Sequence, residues 1–203
     1  MTRRRSSYRS LASLQRDNRV CRACAEAGYA IESRPVLEGH VGQRAYIFGQ
    51  APGVVEGEER RPWRGRAGQT LRRWLGVEED EFYATFYCAS VTRCYPGRAA
   101  GGGGDRTPTA REQKLCDLWR EWELRLLQPA LIVPVGGLAI RRLLGLTSLD
   151  ASIGERFSYG DGVAVPLPHP SGVSRWLNAP ANQARLERAV ELVLGELATL
   201  SGP

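Results

Sequence analysis

The sequence lacks any apolar run of the ~18 residues that a membrane-spanning helix requires. The basic N-terminus MTRRRSSYRS is not followed by an apolar stretch, so no secretory signal is predicted. We therefore expect a cytoplasmic protein with no membrane partner. In that reducing compartment the five cysteines should not form disulfides, which leaves metal binding, catalysis or simple burial as their roles.

Lysine is almost absent, because Lys114 is the single one and nearly all positive charge is carried by arginine. The net charge of +6 suits a polyanionic partner such as nucleic acid, since basic side chains release counterions when they bind phosphate. A GC-rich genome produces the same arginine bias, so charge alone is weak support for DNA binding. Guanidinium groups nonetheless bind phosphate bidentately and stack on bases.

The chain has 203 residues, of which 42% are hydrophobic, and it contains no internal repeat. These values predict one domain over residues 1–203, with a basic N-terminal helix and a Gly-rich loop at 99–109. No long apolar surface stripe is present, so a monomer is expected. β-Prone runs alternate with helical patterns, which is typical of a mainly parallel sheet covered on both faces.

The predicted elements fix where a site would form. The β-prone runs span 45–48, 82–91, 131–135 and 163–167, and the helical patterns span 7–18, 69–75, 110–127, 138–144 and 179–200. In parallel sheets the loops that leave the carboxyl ends of the strands build the site. Those loops are expected at 50–63, 90–95, 136–137 and 169–176.

Four of the five cysteines are predicted to share a metal. Cys21 and Cys24 form a C-x-x-C pair, which fits a redox pair or half of a metal site. The pair is not at a strand-to-helix junction of the thioredoxin type, which favours metal. With Cys94 and Cys116 the set supplies four thiolates, and both zinc and a [4Fe–4S] cluster accept four Cys ligands. Cys88 lies in a β-prone run and is predicted to be a buried apolar residue.

Six blocks occur in one order: CRAC, AYIFGQAPG, RPWRGRAG, SVTRCYP, DRTPTAREQKLC and PHPSG. This order resembles the family-four uracil-DNA glycosylases, which carry CxxC, GEAPG, PFVGRAG, a strand ending NVVKCRP, NRxPxxxExxxC and a final HP motif. The resemblance covers about residues 21–175. It implies a three-layer α/β/α sandwich with a central four-stranded parallel sheet. It also implies a structural [4Fe–4S] cluster on Cys21, Cys24, Cys94 and Cys116.

The same resemblance implies an enzyme of DNA base excision repair, which cleaves the N-glycosidic bond of a flipped nucleotide without a covalent intermediate. Such cleavage builds positive charge on the sugar and negative charge on the departing base. His169 matches the motif histidine whose neutral imidazole donates to the base oxygen. Trp63 replaces the family phenylalanine that stacks on the base. Glu56 is a candidate for orienting water or stabilising the sugar cation, and a solvated loop carboxylate is the equally weighted alternative.

Backbone N–H groups of the GQAPG loop can approach a ligand closely because of its glycines. Gln50 of this loop is counted as a catalytic candidate, and Ser90 is a candidate for contacting the base edge. The remaining predicted base-binding residues are Gly49, Ala51 and Gly53. The predicted DNA-binding residues are Ser171, Val173, Arg175, Trp176 and Arg66.

Several positions depart from the family pattern, among them Ser171 and Gly172, which follow HP in place of the common Ala and Tyr. Gln50 replaces the glutamate of GEAPG, Gly57 replaces a carboxylate, and Ser90 replaces the asparagine that reads the base edge. Serine offers one hydroxyl where asparagine pairs with both a donor and an acceptor. The leading hypothesis is a glycosylase that removes uracil from DNA. The alternatives are a glycosylase for hypoxanthine or xanthine, and a non-catalytic DNA-binding relative.

Overall fold

The computed structural model describes residues 5–101, 103–171 and 175–200. Its strands are β1 Ala45–Gly49, β2 Phe86–Ser90, β3 Leu131–Pro134, β4 Phe157–Tyr159 and β5 Gly162–Ala164. Its α-helices are α1 Leu11–Arg19, α2 Ala23–Glu26, α3 Val54–Glu59, α4 Arg66–Leu75, α5 Glu79–Thr85, α6 Ala110–Leu127, α7 Gly137–Leu144 and α8 Pro180–Leu200. A short 3₁₀ helix, Arg175–Asn178, precedes α8. Among the described residues, no helix combines the length and apolarity that crossing a membrane needs.

The five strands form one sheet in the order β2-β1-β3-β5-β4. The first four are parallel, whereas β4 pairs with β5 in the antiparallel sense. The expected sheet of four parallel strands is therefore corrected to a mixed sheet of five. The physical reason is that β4 and β5 are joined by the two-residue turn Gly160–Asp161, with Gly160 at φ 56°. Such a short turn can connect only antiparallel neighbours.

Helices cover both faces of the sheet, as the α/β/α prediction requires. Every residue of β1, β2 and β3 is buried. Ile47 and Cys88 pack in one cluster with α4, α5 and α8, whereas Tyr46 and Tyr87 pack in the other with α1 and α6. The prediction that Cys88 is a buried core residue is confirmed.

The predicted strand at 82–91 is wrong in its first part. Residues Glu79–Thr85 form α5, and β2 begins only at Phe86. Three consecutive acidic residues lie in the first turn of α5, where they complement the partial positive charge of a helix N-terminus. The bounds of α6 agree with the prediction, because Thr109 and Glu112 form a capping box at its start.

The carboxyl ends of the parallel strands meet at one edge of the sheet. Gly49 at the end of β1 lies in register with Ser90 at the end of β2. Val135, next to β3, bridges to Leu167, two residues before His169. The loops predicted to carry the site therefore leave the sheet side by side.

Candidate active site and cysteine cavity

A cavity of about 520 Å³ opens at this edge of the sheet. It is lined by the loops after β1 and β2, by the start of α4, by the Gly-rich loop and by the segment that follows β5. The structure brings ten of the predicted site residues together in its walls: Gly49, Gln50, Ala51, Gly53, Glu56, Trp63, Arg66, Ser90, His169 and Ser171.

His169 is held as a neutral ring with its donor on Nε2. The backbone N–H of Ser171 lies 3.2 Å from His169 Nδ1, and the Ser171 hydroxyl lies 2.9 Å from the same atom. Because an amide N–H can only donate, Nδ1 must accept, and the ring proton belongs to Nε2. Burial lowers the pKa of His169 below its usual value, so the ring is neutral at pH 7.

Gly136 lets the ring lie close to the turn after β3. Gly136 has φ 87°, and a Cβ there would lie 3.2 Å from His169 Cβ. Ser171 was predicted to bind DNA. In the structure it lines the cavity and fixes His169, and a contact with DNA remains a prediction.

Glu56 joins two walls of the cavity. Its Oε2 accepts from the N–H of Gly53 at 3.0 Å, and its Oε1 accepts from the N–H of Gly65 at 2.8 Å. The side chain belongs to α3 and is 9% exposed. Both carboxylate oxygens are thus engaged by backbone donors, which ties the GQAPG loop to the start of α4.

Trp63 lies over the end of β1. A Cβ on Gly49 would approach its indole Cζ2 to 2.9 Å, so only glycine leaves room for the ring. Trp63 itself has φ 60°, an uncommon conformation for a large residue. Arg72 stabilises it by donating from Nη1 to the Trp63 carbonyl oxygen at 2.9 Å. A flat aromatic surface is therefore held in the cavity wall.

The hydroxyl proton of Ser90 is engaged in a hydrogen bond within the protein. Its hydroxyl donates to the carbonyl oxygen of Thr92 at 2.8 Å, and the residue is 8% exposed. Only the lone pairs of Oγ remain for a ligand, so Ser90 can accept a hydrogen bond from the cavity but cannot donate one.

The sequence prediction missed a carboxylate in this cavity. Asp105, in the Gly-rich loop, lines it together with Gly103 and Gly104. Its Oδ1 accepts from the hydroxyl of Tyr95 at 2.9 Å. The available signal was the DRTP block, which begins at Asp105 and to which no chemical role was assigned.

Of the remaining predicted DNA-binding residues, the structure describes the side chain of Trp176, which does not line the cavity. Trp176 donates from its indole Nε1 to Asp150 Oδ1 at 2.8 Å and packs against the core beside α8. Val173 and the side chain of Arg175 lie outside the described residues.

The four predicted ligand cysteines line a second, small cavity. Cys21, Cys24, Cys94 and Cys116 are between 5% and 7% exposed. The pKa of the Cys94 thiol is raised by burial and by the negative charge of the other three. Among the described residues, no three His, Cys, Asp or Glu side chains are arranged to hold a single metal ion.

Two fully buried polar side chains line the same cavity. Neither polar atom of the Asn18 amide has a hydrogen-bond partner among the described residues, and neither has Nε or Nη1 of Arg93. The remaining Arg93 nitrogen, Nη2, donates to Glu123 Oε2 at 2.5 Å. Buried donors without acceptors are costly, so these atoms indicate that an acceptor belongs in the cavity.

Comparison with known proteins agrees with this geometry. Residues 38–193 match the family described as the uracil DNA glycosylase superfamily. The chain belongs to this superfamily. It is similar to the type-4 uracil-DNA glycosylase of Thermotoga maritima, at 30% identity over 69% of this chain and 71% of the relative. It is also similar to that of Pyrobaculum aerophilum, at 30% identity over 78% and 80%, and to that of Sulfurisphaera tokodaii, at 26% over 73% and 62%. The resemblance drawn from the six sequence blocks is thereby confirmed.

Proposed function

We propose that this protein is a monofunctional DNA glycosylase that hydrolyses the N-glycosidic bond of deoxyuridine in DNA. The observation that carries the proposal is the neutral His169, whose Nε2–H has no hydrogen-bond partner among the described residues and whose ring is set in a cavity that a nucleobase can enter. A base in a duplex is out of reach, so the nucleotide must first be extruded into this cavity. Membership of the uracil DNA glycosylase superfamily supports the same activity.

The residues of the cavity walls can provide the interactions that cleavage of the N-glycosidic bond requires. Trp63 provides a surface on which the extruded base can stack. The oxygen of Ser90 can accept from a ring N–H of the base, and the Nε2–H of His169 can stabilise the negative charge that develops on the departing base. Backbone N–H groups between Gly49 and Gly53 line the side of the cavity near Glu56.

One observation favours a broader substrate range than uracil. Ser90 offers only an acceptor, and hypoxanthine and xanthine also present ring N–H donors. A pocket that does not pair both edge groups of the base rejects wrong bases weakly. We therefore propose hypoxanthine or xanthine in DNA as secondary substrates.

The test is base release from oligonucleotides that each carry one uracil, hypoxanthine or xanthine, with abasic sites revealed by alkaline strand cleavage. Uracil release with slower release of the purines is the expected result. Release of purines alone would reassign the substrate. Tight binding to DNA without release of any of the three bases would leave a non-catalytic DNA-binding protein and refute the proposal.

We further propose that Cys21, Cys24, Cys94 and Cys116 hold a [4Fe–4S] cluster. Four thiolates around zinc would lie about 3.8 Å apart, given Zn–S bonds of ~2.3 Å, and would form a single-ion site. The thiols here line a cavity that also carries the unpartnered donors of Asn18 and Arg93, which suits a larger group rich in sulfur acceptors. Such a cluster would supply cross-links, because its ligands come from the N-terminal segment, the loop after β2 and α6.

The purified protein should be yellow-brown and contain iron and acid-labile sulfide in similar amounts. Cys88→Ala should leave both contents unchanged, since Cys88 is in the core cluster beside α4 and α5. Cys94→Ala should lose both and unfold at lower temperature. A colourless protein that contains one zinc per chain would overturn the cluster proposal.

A further inference from the structure

The Gly-rich loop is folded against the cavity at a defined place. Arg98 and Asp105 form an antiparallel bridge across the base of the loop, and the N–H of Ala99 donates to the carbonyl of Gly104 at 2.9 Å. Next to the bridge, Arg106 donates to both oxygens of Glu112 at 2.8 and 2.6 Å. The position of Asp105 is thus fixed by backbone pairing on one side and an ion pair on the other.

The carboxylate of Asp105 is turned toward the GQAPG loop. Its Oδ2 lies 3.2 Å from the point that a Cβ on Gly53 would occupy, and Glu56 Oε2 lies 2.7 Å from that point. Both carboxylate oxygens therefore lie within 3.2 Å of one point beside Gly53. No side chain fills this point, because residue 53 is glycine.

The two carboxylates are not equivalent. Both oxygens of Glu56 accept hydrogen bonds from backbone N–H groups. Asp105 uses only Oδ1, which accepts from Tyr95, and its Oδ2 has no hydrogen-bond partner among the described residues. Gln50 is neutral and His169 is a neutral donor, so Asp105 provides the anionic oxygen of this cavity that is available to a reactant.

From this geometry we propose that Asp105 is the catalytic carboxylate of the reaction. This proposal rests on the proposed glycosylase function. The bond between sugar C1′ and the base nitrogen breaks, and its electron pair leaves with the base, whose anion accepts from His169 Nε2–H. A water oxygen bonds to C1′, and one proton of that water passes to Asp105 Oδ2. The negative charge of Asp105 also stabilises the sugar cation as it forms.

The test is Asp105→Asn, which removes the charge and keeps an oxygen that can accept from Tyr95. The matched control is Asp161→Asn, which removes one exposed negative charge from the β4–β5 turn, away from the cavity. Single-turnover uracil release should slow by about 100-fold or more in Asp105→Asn, as expected for loss of a catalytic base, and remain unchanged in the control.

A second measurement reports on charge without requiring turnover. Oligonucleotides that carry a cationic pyrrolidine or a neutral tetrahydrofuran in place of the damaged nucleotide are compared by their affinities. The wild-type protein should prefer the cation, and Asp105→Asn should lower that preference about tenfold, as expected for one charge pair at a solvent-exposed carboxylate. The affinity for the neutral analogue should stay the same.

The outcomes separate the two proposals. If the wild type releases uracil and Asp105→Asn keeps both its rate and its preference for the cation, Asp105 has no catalytic role and the glycosylase function stands. If the wild type releases no base and shows no preference for the cationic analogue, the glycosylase function fails and the role of Asp105 fails with it.

Discussion

Replacement of His169 by alanine tests the reaction most directly. The geometry assigns one hydrogen bond to this side chain, from Nε2–H to an oxygen of the departing base, because Nδ1 is engaged by Ser171. Removal of one preorganised donor to a developing anion costs about 2.7–4 kcal/mol of transition-state stabilisation, or about 10²–10³ in rate. The ground-state base carries no full charge, so binding should change far less than the rate.

The assay is single-turnover release of uracil from a duplex oligonucleotide, with affinity measured separately on DNA that carries a non-cleavable uracil analogue. His40→Ala is the matched control, because His40 is the only other histidine and lies exposed beside Val41. We expect His169→Ala to slow release by about 100-fold or more with affinity within a few-fold of wild type. A wild-type rate in His169→Ala would remove the residue from the mechanism. Equal loss of rate and affinity would indicate uniform binding and refute the assignment to the transition state.

Three further predictions concern other parts of the molecule. Ser90→Asn should raise the ratio of uracil release to hypoxanthine or xanthine release, since asparagine supplies both a donor and an acceptor. The prediction is wrong if the wild type releases only uracil and Ser90→Asn abolishes that release. Asn18→Leu should speed loss of the proposed cluster in air, measured by visible absorbance, because the cavity would lose an amide donor that can reach an acceptor there. A more stable variant with an unchanged cluster lifetime would mean that the Asn18 amide has no acceptor in the loaded protein. The free energy of unfolding in urea should fall as pH drops below about 6.5, since the unfolded state binds a proton there that buried His169 resists, and His169→Gln should lessen this fall.

The fold was largely predictable because its strands are short apolar runs followed by glycine and proline turns. The pattern predicted β1, β3 and α6 well, since Thr109 and Glu112 mark the start of α6 and Pro129 prevents its continuation. The edge strand β4 was missed because its alternation of aromatic and polar residues spans only three positions, which is too short to indicate a strand. The start of β2 was misjudged because Phe82 and Tyr83 suit a strand or a buried helix face equally well.

The sequence predicted which residues line the site where a motif determines their position. It did not predict which hydrogen-bond partner each polar side chain has. The positions of His169 and Trp63 in the cavity wall followed from the sequence blocks. The commitment of the Ser90 proton to Thr92 did not, because it depends on the path of the chain after β2. The same is true of Glu56, whose two oxygens are engaged by Gly53 and Gly65.

These two engagements together explain why the Gly-rich loop matters. A carboxylate whose two oxygens each accept a backbone hydrogen bond is well placed to shape the GQAPG loop, and it has fewer lone pairs left for a water than an oxygen without a partner. A site built on Glu56 and neutral Gln50 alone would therefore offer a water only carboxylate oxygens that already accept backbone hydrogen bonds. Asp105 reaches the same point beside Gly53, and its Oδ2 has no hydrogen-bond partner among the described residues. We infer that two carboxylates divide these roles. Glu56 of α3 shapes the GQAPG loop, and Asp105, in the loop after Tyr95, accepts the proton from water.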